Sequence, residues 1–225
     1  MTIRKIITAI GILLNASLLF SQSIRTDLEK MNHVMTTSDQ YHIRVSTVYQ
    51  DNNANSISGK QYDLFKMYET KMSVIGSDKM IMNDQMYLGI STQNKTIKLM
   101  AVDDQIGLSD YTKELLKMEE LGAFKNVVFS SSDKGHKYTI KKPTSDILKM
   151  HIIFGKSGFL SQVIYEFEPN IEGNPYANVT INYSVSKDVS GYQSKGLYFE
   201  KYLDKKMGKY TLSKEFENYE FINLL

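Results

Sequence analysis

The chain has 225 residues, 27 basic and 25 acidic side chains, 42% hydrophobic residues, and no cysteine or tryptophan. These values are typical of a globular protein of one domain and exclude a disordered or fibrous chain. The lack of cysteine excludes a disulfide framework, thiol catalysis and a lipid anchor on cysteine. The near balance of charge argues against nucleic-acid binding, which needs a basic surface to neutralise phosphates.

The first 21 residues have the layout of a secretory signal peptide. Arg4 and Lys5 precede an apolar run from Ile6 to Phe20, and the small Ser21 offers a cleavage position. The run is short for a membrane span, and an uncleaved N-terminal anchor is the alternative. Arg4 and Lys5 account for the whole net charge of +2, so residues 22–225 are expected to form one neutral domain. We expect it in the periplasm or on the surface of a bacterium, at most peripheral to the membrane.

A helix is predicted at the start of this domain, where apolar residues recur at helical spacing: Ile24, Leu28, Met31 and Met35. From Tyr41 onward the apolar residues alternate with period two, which indicates an antiparallel meander of short strands. A second helix is predicted over 109–121, between Ser109 as N-cap and Gly122. The predicted strands are 41–49, 60–68, 71–75, 78–83, 86–92 and 96–102 before that helix, and 126–131, 136–142, 147–154, 159–168 and 179–186 after it.

The C-terminal extension from about residue 188 is rich in tyrosine and lysine. Its pattern assigns it no clear place beyond added structure at an edge of the sheet. Because exposed tyrosine favours protein interfaces, the extension is also a candidate surface for a partner protein of the cell envelope.

No catalytic residue, metal site or cofactor is predicted. The four histidines, at positions 33, 42, 136 and 151, lie far apart in sequence, and no Gly-x-Ser-x-Gly motif occurs. Glu166 and Glu168 share a strand face and have the residue type of a glycosidase pair, but solvent exposure explains them better. Gly155-Lys156-Ser157 lacks the upstream glycine of a phosphate-binding loop and is predicted to be a hairpin turn.

The 12 methionines are the compositional feature that points to a ligand. Methionine is flexible and polarizable, so a surface rich in it adapts to variable apolar molecules, although methionine also fills ordinary cores. The strands are predicted to present one inward row of apolar residues, which residues of the second helix join. The candidate ligand-binding residues are Met72, Val74, Met80, Met82, Met86, Leu88, Ile90, Leu99, Leu115 and Met118.

The order of these elements resembles the periplasmic outer-membrane lipoprotein carrier (LolA/LolB-like) family. The resemblance covers roughly 24–187 and is carried by patterns of residues in the opening helix and in several strands and turns. They are Asp27-Leu28, 41–45, 83–88, 136–143, 147–154 and 158–160.

This resemblance implies a mainly β fold, in which a large antiparallel sheet curves into a half-open barrel. The N-terminal and mid-chain helices would cover its concave side, with the helix at 109–121 as a plug over a cavity for acyl chains. The sequence departs from the carriers at Met67 and Tyr68, which stand where the family has Arg and Pro, and in having no tryptophan. Our expectation is a non-enzymatic envelope protein that binds lipid, lipoprotein acyl chains or another apolar ligand. The alternative is an envelope interaction or scaffold protein with a filled core.

Overall fold

A computed structural model describes residues 23–102, 111–120, 122–169 and 174–225. The predicted signal peptide and both ends of the predicted second helix lie outside the described residues. The helices are α1 (Ile24–Thr37), α2 (Tyr111–Glu120), α3 (Gly191–Ser194) and α4 (Phe199–Tyr202). The strands are β1 (Gln40–Asp51), β2 (Ser56–Met67), β3 (Thr70–Ile75), β4 (Asp78–Met82), β5 (Met86–Ser91), β6 (Thr96–Ala101), β7 (Val127–Ser132), β8 (Gly135–Lys141), β9 (Ile147–Gly155), β10 (Leu160–Phe167), β11 (Tyr176–Ser186), β12 (Leu203–Lys206), β13 (Lys209–Leu212) and β14 (Glu220–Leu224).

Twelve of the strands form one sheet in the order β14-β6-β5-β4-β3-β2-β1-β11-β10-β9-β8-β7, and β12 pairs only with β13. The sheet does not close, so the predicted half-open, mainly β architecture is confirmed. The sheet is antiparallel, as predicted, except at one edge, where β14 pairs parallel with β6. A parallel neighbour requires a long crossover, and here most of the second half of the chain separates the two strands.

One face of the sheet, which we call the helix face, carries Ile43 and Val45 of β1 and is covered by α1 and α2 over β7–β11. Successive side chains of a strand alternate between faces, and β8 and β9 bury residues of one parity beneath the helices. The core between them contains Ile24, Leu28, Met31, Leu115, Tyr138, Ile140, Met150, Ile152, Phe154, Leu160 and Val163.

The opposite face is covered by residues 188–225, which we call the tail. The tail forms α3, α4, the β12–β13 hairpin and a short 3-10 turn before β14. On β2–β6 this tail face holds a second core, which contains Phe65, Met72, Ile81, Leu88, Ile90, Ile97, Leu99, Val189, Leu197, Tyr202, Leu203 and Phe216. The tail is therefore structural, because without it these side chains of the sheet would face water.

The buried row of side chains changes face between β1 and β2. Ile43 is directly opposite Leu64, so these two residues share the helix face, whereas the fully buried Phe65 points to the tail face. The two ends of one continuous sheet thus bury opposite faces.

This change of face corrects the predicted inward row of methionines. Met72 is opposite Ile81 in the sheet, so Met80 and Met82, on either side of Ile81, point to the helix face instead. The sequence pattern did not show this because β4 has apolar residues at consecutive positions from Met80 to Met82, which suits either parity.

Two methionine-to-alanine substitutions test the assignment of faces. Met72→Ala is expected to lower the free energy of unfolding by about 3 kcal/mol, because it opens a cavity in the core under the tail. Met80→Ala is expected to cost less than about 1 kcal/mol, because Met80 is only half-buried and lines a pocket. Urea denaturation followed by circular dichroism measures both. Equal losses for the two variants would contradict the assignment.

Candidate functional site

The second half of α1 lies beside a groove rather than over a closed core. The helix is capped by Ser23, whose Oγ accepts a hydrogen bond from the Thr26 amide at 3.1 Å. Its first half packs on the sheet through Ile24 and Leu28, whereas Val34 in its second half keeps 42% of its surface exposed. The amphipathic stripe therefore leaves apolar surface accessible near the end of the helix.

Three adjoining pockets form this α1 groove. The widest, of about 500 Å³, lies between α1 and the turn that joins β9 to β10. It shares Val34, Ser38, Phe159 and Lys187 with a narrow pocket of about 70 Å³. The narrow pocket in turn shares Met35 and Tyr41 with a third pocket of about 200 Å³. The widest pocket alone has the volume of a typical small-molecule site, and the row of three suits an elongated ligand.

The wide end of the groove combines apolar walls with a polar rim. Met31, Val34, Phe154 and Phe159 supply the apolar surface, and the Leu160 amide lies 3.3 Å from the Met31 sulfur beneath them. The polar side chains of this end are Asp27, Lys30, Ser38, His136, Lys156, Ser157 and Lys187. Such a lining suits a molecule with an apolar body and a polar head.

Asp27 is fixed by the sheet at the inner wall of the groove. It is a buried residue in the first turn of α1, and its Oδ2 accepts a hydrogen bond of 2.6 Å from the Tyr138 hydroxyl. Burial and this carboxylate raise the pKa of Tyr138, so its hydroxyl stays protonated as the donor. His136 Nδ1 lies 3.7 Å from the same oxygen and is buried without a hydrogen-bond partner among the described residues.

The far end of the groove is fixed by Lys66 of β2. Its ammonium group donates hydrogen bonds to the backbone oxygens of Met35 at 3.3 Å and Thr36 at 2.8 Å. A cation at the end of a helix satisfies free carbonyls and interacts favourably with the helix dipole. Lys66 precedes Met67 and Tyr68, and its two hydrogen bonds attach the end of α1 to β2.

The space where a ligand cavity was expected, between the helices and the sheet, is filled by side chains. Leu115 is buried in the core of the helix face, and Met118 packs against that core. Most of the other predicted residues fill the separate core under the tail: Met72, Val74, Met86, Leu88, Ile90 and Leu99. The structure therefore divides the ten predicted residues between two cores, except for Met80 and Met82, which lie on the helix face of β4 outside both cores.

The helix face of β3–β6 holds a further pocket, the sheet pocket, of about 350 Å³. Met80 and Ile90 are among the residues that line it, together with Tyr87, whose ring lies against Gly89. The Ser73 hydroxyl in its lining is buried and has no hydrogen-bond partner among the described residues. A predicted methionine, Met80, therefore lines a cavity in the sheet pocket.

Two histidines form pairs with carboxylates on the tail face. His151 Nε2 lies 2.8 Å from Glu166, and its Nδ1 lies 3.0 Å from the Thr139 hydroxyl. Hydroxyl, imidazole and carboxylate are the groups of a hydrolase triad. None of the three lines a pocket described for this chain, and Lys149 also binds Glu166 at 3.0 Å, so the arrangement is best explained as a cross-strand polar cluster. Glu168 pairs separately with Lys142 at 3.2 Å.

The second cluster surrounds Asp63, where the buried row changes face. His42 Nε2 and Arg44 Nε lie 2.7 and 2.9 Å from one carboxylate oxygen, and Lys195 of the tail donates to the other at 2.9 Å. Burial raises the pKa of the Asp63 carboxyl, but the hydrogen bonds with Lys195, His42 and Arg44 outweigh it and lower this pKa to about 2. The cluster joins the tail to the sheet through a carboxylate that is charged at neutral pH.

Metal binding finds no support in the described residues, where no three His, Asp or Glu side chains stand together as a ligand set. Among the same residues, none of the helices has the length and apolar character needed to cross a bilayer.

Sequence reasoning did not find the residues of the α1 groove. Val34 gave a weak signal, because it is an apolar residue outside the stripe of Ile24, Leu28 and Met31 on α1. Lys156 belongs to the predicted hairpin turn, which is confirmed by the hydrogen bond of 2.9 Å from the Gly155 amide to the Phe159 oxygen. Lys30 and Lys187 gave no signal, since only the fold brings them to that turn.

No protein-family model and no curated protein matches the sequence. Several solved structures are similar to it at low identity. An uncharacterized conserved protein from Thermus thermophilus is 7% identical with a TM-score of 0.42, covering 90% of this chain and 99% of that one. A LolA superfamily protein from Nitrosomonas europaea is 12% identical with a TM-score of 0.31, covering 80% and 99%. A putative outer membrane lipoprotein-sorting protein domain from Vibrio parahaemolyticus is 8% identical with a TM-score of 0.26, covering 76% and 97%.

Two of these descriptions name the kind of carrier protein that the sequence resembles.

Asp63→Asn tests the charged cluster that attaches the tail. We expect it to lower the free energy of unfolding at neutral pH by about 3 kcal/mol, because Arg44 and Lys195 lose their counter-charge. Because the pKa of Asp63 is lower in the folded than in the unfolded chain, its charge stabilises the fold above about pH 4 and progressively less towards about pH 2. The difference in unfolding free energy between the wild type and the variant should therefore narrow over this interval.

Denaturation curves of both proteins measured across this pH interval check the expectation. Asp204→Asn is the matched control, since Asp204 is an exposed acid of the same tail and should change stability by less than about 0.5 kcal/mol. A difference that stays constant down to about pH 2 would show that the Asp63 charge is not the stabilising feature.

Proposed function

We propose that this chain is a non-enzymatic protein of the bacterial cell envelope that binds a lipid or similar amphiphile in the α1 groove. The supporting observation is the row of three adjoining pockets along the second half of α1, with apolar walls and one polar, wide end. The signal-like segment at residues 1–21 favours a location in the periplasm or at the cell surface.

Burial of an alkyl chain provides the binding free energy in this proposal. Each methylene group removed from water contributes roughly 0.8 kcal/mol. A chain that lies along Val34, Met35 and Phe159 then binds without specific polar contacts, and it also covers the exposed apolar surface of α1. Of the residues predicted from the sequence to bind a ligand, Met80 lines the sheet pocket, where an apolar molecule would contact it.

An interaction or scaffold role without a ligand is the second candidate function. The observation in its favour is the core under α1 and α2, in which Leu115 and Met118, two residues predicted to line a cavity, are packed. The tail gives less support than expected, because Tyr192, Tyr202, Tyr210 and Tyr219 pack against the sheet while Tyr198 remains exposed. A partner surface on the tail is therefore best tested with Tyr198→Ala in a pull-down from envelope extracts, since deleting the tail would expose the core.

A single tryptophan placed in the groove tests ligand binding directly. The chain has no tryptophan, so Val34→Trp introduces the only indole fluorophore of the protein. Val34 borders two of the three pockets, so an indole at this position lies beside a chain bound in either of them. We expect dibromostearyl alcohol, a neutral probe whose bromine atoms quench nearby indoles, to quench this tryptophan in a saturable way.

Val128→Trp is the matched control, because Val128 is another exposed valine, on the edge strand β7 and outside the groove. Quenching of both tryptophans to the same extent would indicate unspecific adsorption and contradict the proposal. Native mass spectrometry of the protein purified from its own host gives an independent measure. A lipid adduct supports the proposal, whereas a ligand-free mass together with no quenching at position 34 favours the scaffold role.

A further inference from the structure

Three lysines from separate parts of the chain meet at the wide end of the α1 groove. Lys30 belongs to α1, Lys156 to the turn between β9 and β10, and Lys187 follows β11. Their positions in the sequence are far apart, so this concentration of positive charge is a product of the fold.

These three ammonium groups form no ion pair and no hydrogen bond with another described residue. Several lysines elsewhere in the fold are instead engaged by the protein itself. Lys66 binds helix carbonyls, Lys149 pairs with Glu166 at 3.0 Å, and Lys195 pairs with Asp63 at 2.9 Å. The lysines of the groove are therefore available to an external anion.

The groove has little negative charge of its own to balance them. Among the described residues that line its wide end, Asp27 is the only one with a carboxylate, and one of its oxygens already accepts the Tyr138 hydroxyl. His136 adds a ring nitrogen that has no hydrogen-bond partner among the described residues at the same end. The wide end therefore has an excess of positive charge, although basic and acidic residues nearly balance over the whole chain.

We propose that the ligand of the α1 groove is an amphiphile with an anionic head, a carboxylate or a phosphate. The head lies among Lys30, Lys156 and Lys187, and the alkyl chain runs past Val34 and Phe159 towards the narrow pocket. This inference rests on the proposed function and adds the chemistry of the head group to it. Partly exposed ion pairs contribute modestly one by one, so three together are expected to strengthen binding about tenfold.

A pair of probes that differ only in the head group tests the inference. In the Val34→Trp protein, dibromostearate is expected to bind about tenfold more tightly than dibromostearyl alcohol, with both kept below the concentrations at which they form micelles. The preference should shrink when the salt concentration is raised, because ions screen charges at the mouth of the groove. This salt dependence requires no change to the lysines.

Replacing the three lysines by glutamine gives the second measurement. Lys30→Gln, Lys156→Gln and Lys187→Gln together should lower the affinity for the acid about tenfold and so remove its preference over the alcohol. Lys60→Gln, Lys125→Gln and Lys209→Gln together make a control with the same change of net charge at exposed positions outside the groove, and should keep the preference. Circular dichroism confirms that both triple variants are folded.

The outcomes separate the two proposals and the two sources of the anion. Equal affinity for acid and alcohol would overturn the anionic head but leave the proposed function intact, whereas no quenching by either probe would overturn both. A brominated lysophosphatidic acid that binds more tightly than the fatty acid would assign the head to a phosphate, and weaker binding would assign it to a carboxylate. Displacement of the acid by inorganic phosphate alone, at similar concentrations, would indicate a site for free anions and contradict an amphiphile.

Discussion

The structure depends on one continuous sheet whose two ends bury opposite faces. A strand alternates its side chains between the two faces of the sheet. The face that is buried under α1 and α2 is the opposite of the face that is buried under the tail. The change takes place between β1 and β2, where Ile43 is buried on the helix face and Phe65 on the tail face. Two covering layers are needed because each half of the sheet would otherwise expose a row of large apolar side chains.

This arrangement explains why a buried charged cluster lies at the junction. His42 and Arg44 are the tail-face residues of β1, beside the first strand that buries that face, and Asp63 of β2 is opposite Arg44. A buried carboxylate needs compensation, which Lys195 of the tail completes. The contact between Lys195 and Asp63 therefore attaches the tail where the buried face of the sheet changes, between β1 and β2. At the same position the ring of His42 stacks on that of Phe65, with 4.2 Å between the ring centroids.

The same arrangement determines where a ligand can bind. Each half of the sheet uses its apolar residues in a filled core, so the methionines that suggested a cavity mostly serve packing. Accessible apolar surface remains where a covering element ends, as it does beside the second half of α1. There the helix, the β9–β10 turn and the end of β11 bring apolar walls together with lysines that have no partner among the described residues. The groove thereby acquires both a chain-binding and a head-binding part.

The sequence by itself determined the strands from β1 to β11 to within a few residues and the first helix, whereas the half-open sheet was implied by the resemblance to the carrier family. It could do so because alternation of apolar residues and the polar turns between strands are local properties of the chain. The sequence did not determine which face of the sheet each side chain of β4 occupies, since Met80, Ile81 and Met82 are all apolar. It also did not determine where the tail and its parallel strand β14 are placed. Only the tertiary structure decided that Lys30, Lys156 and Lys187 lie around one groove, because residues so distant in sequence meet only through the packing of α1 on the sheet.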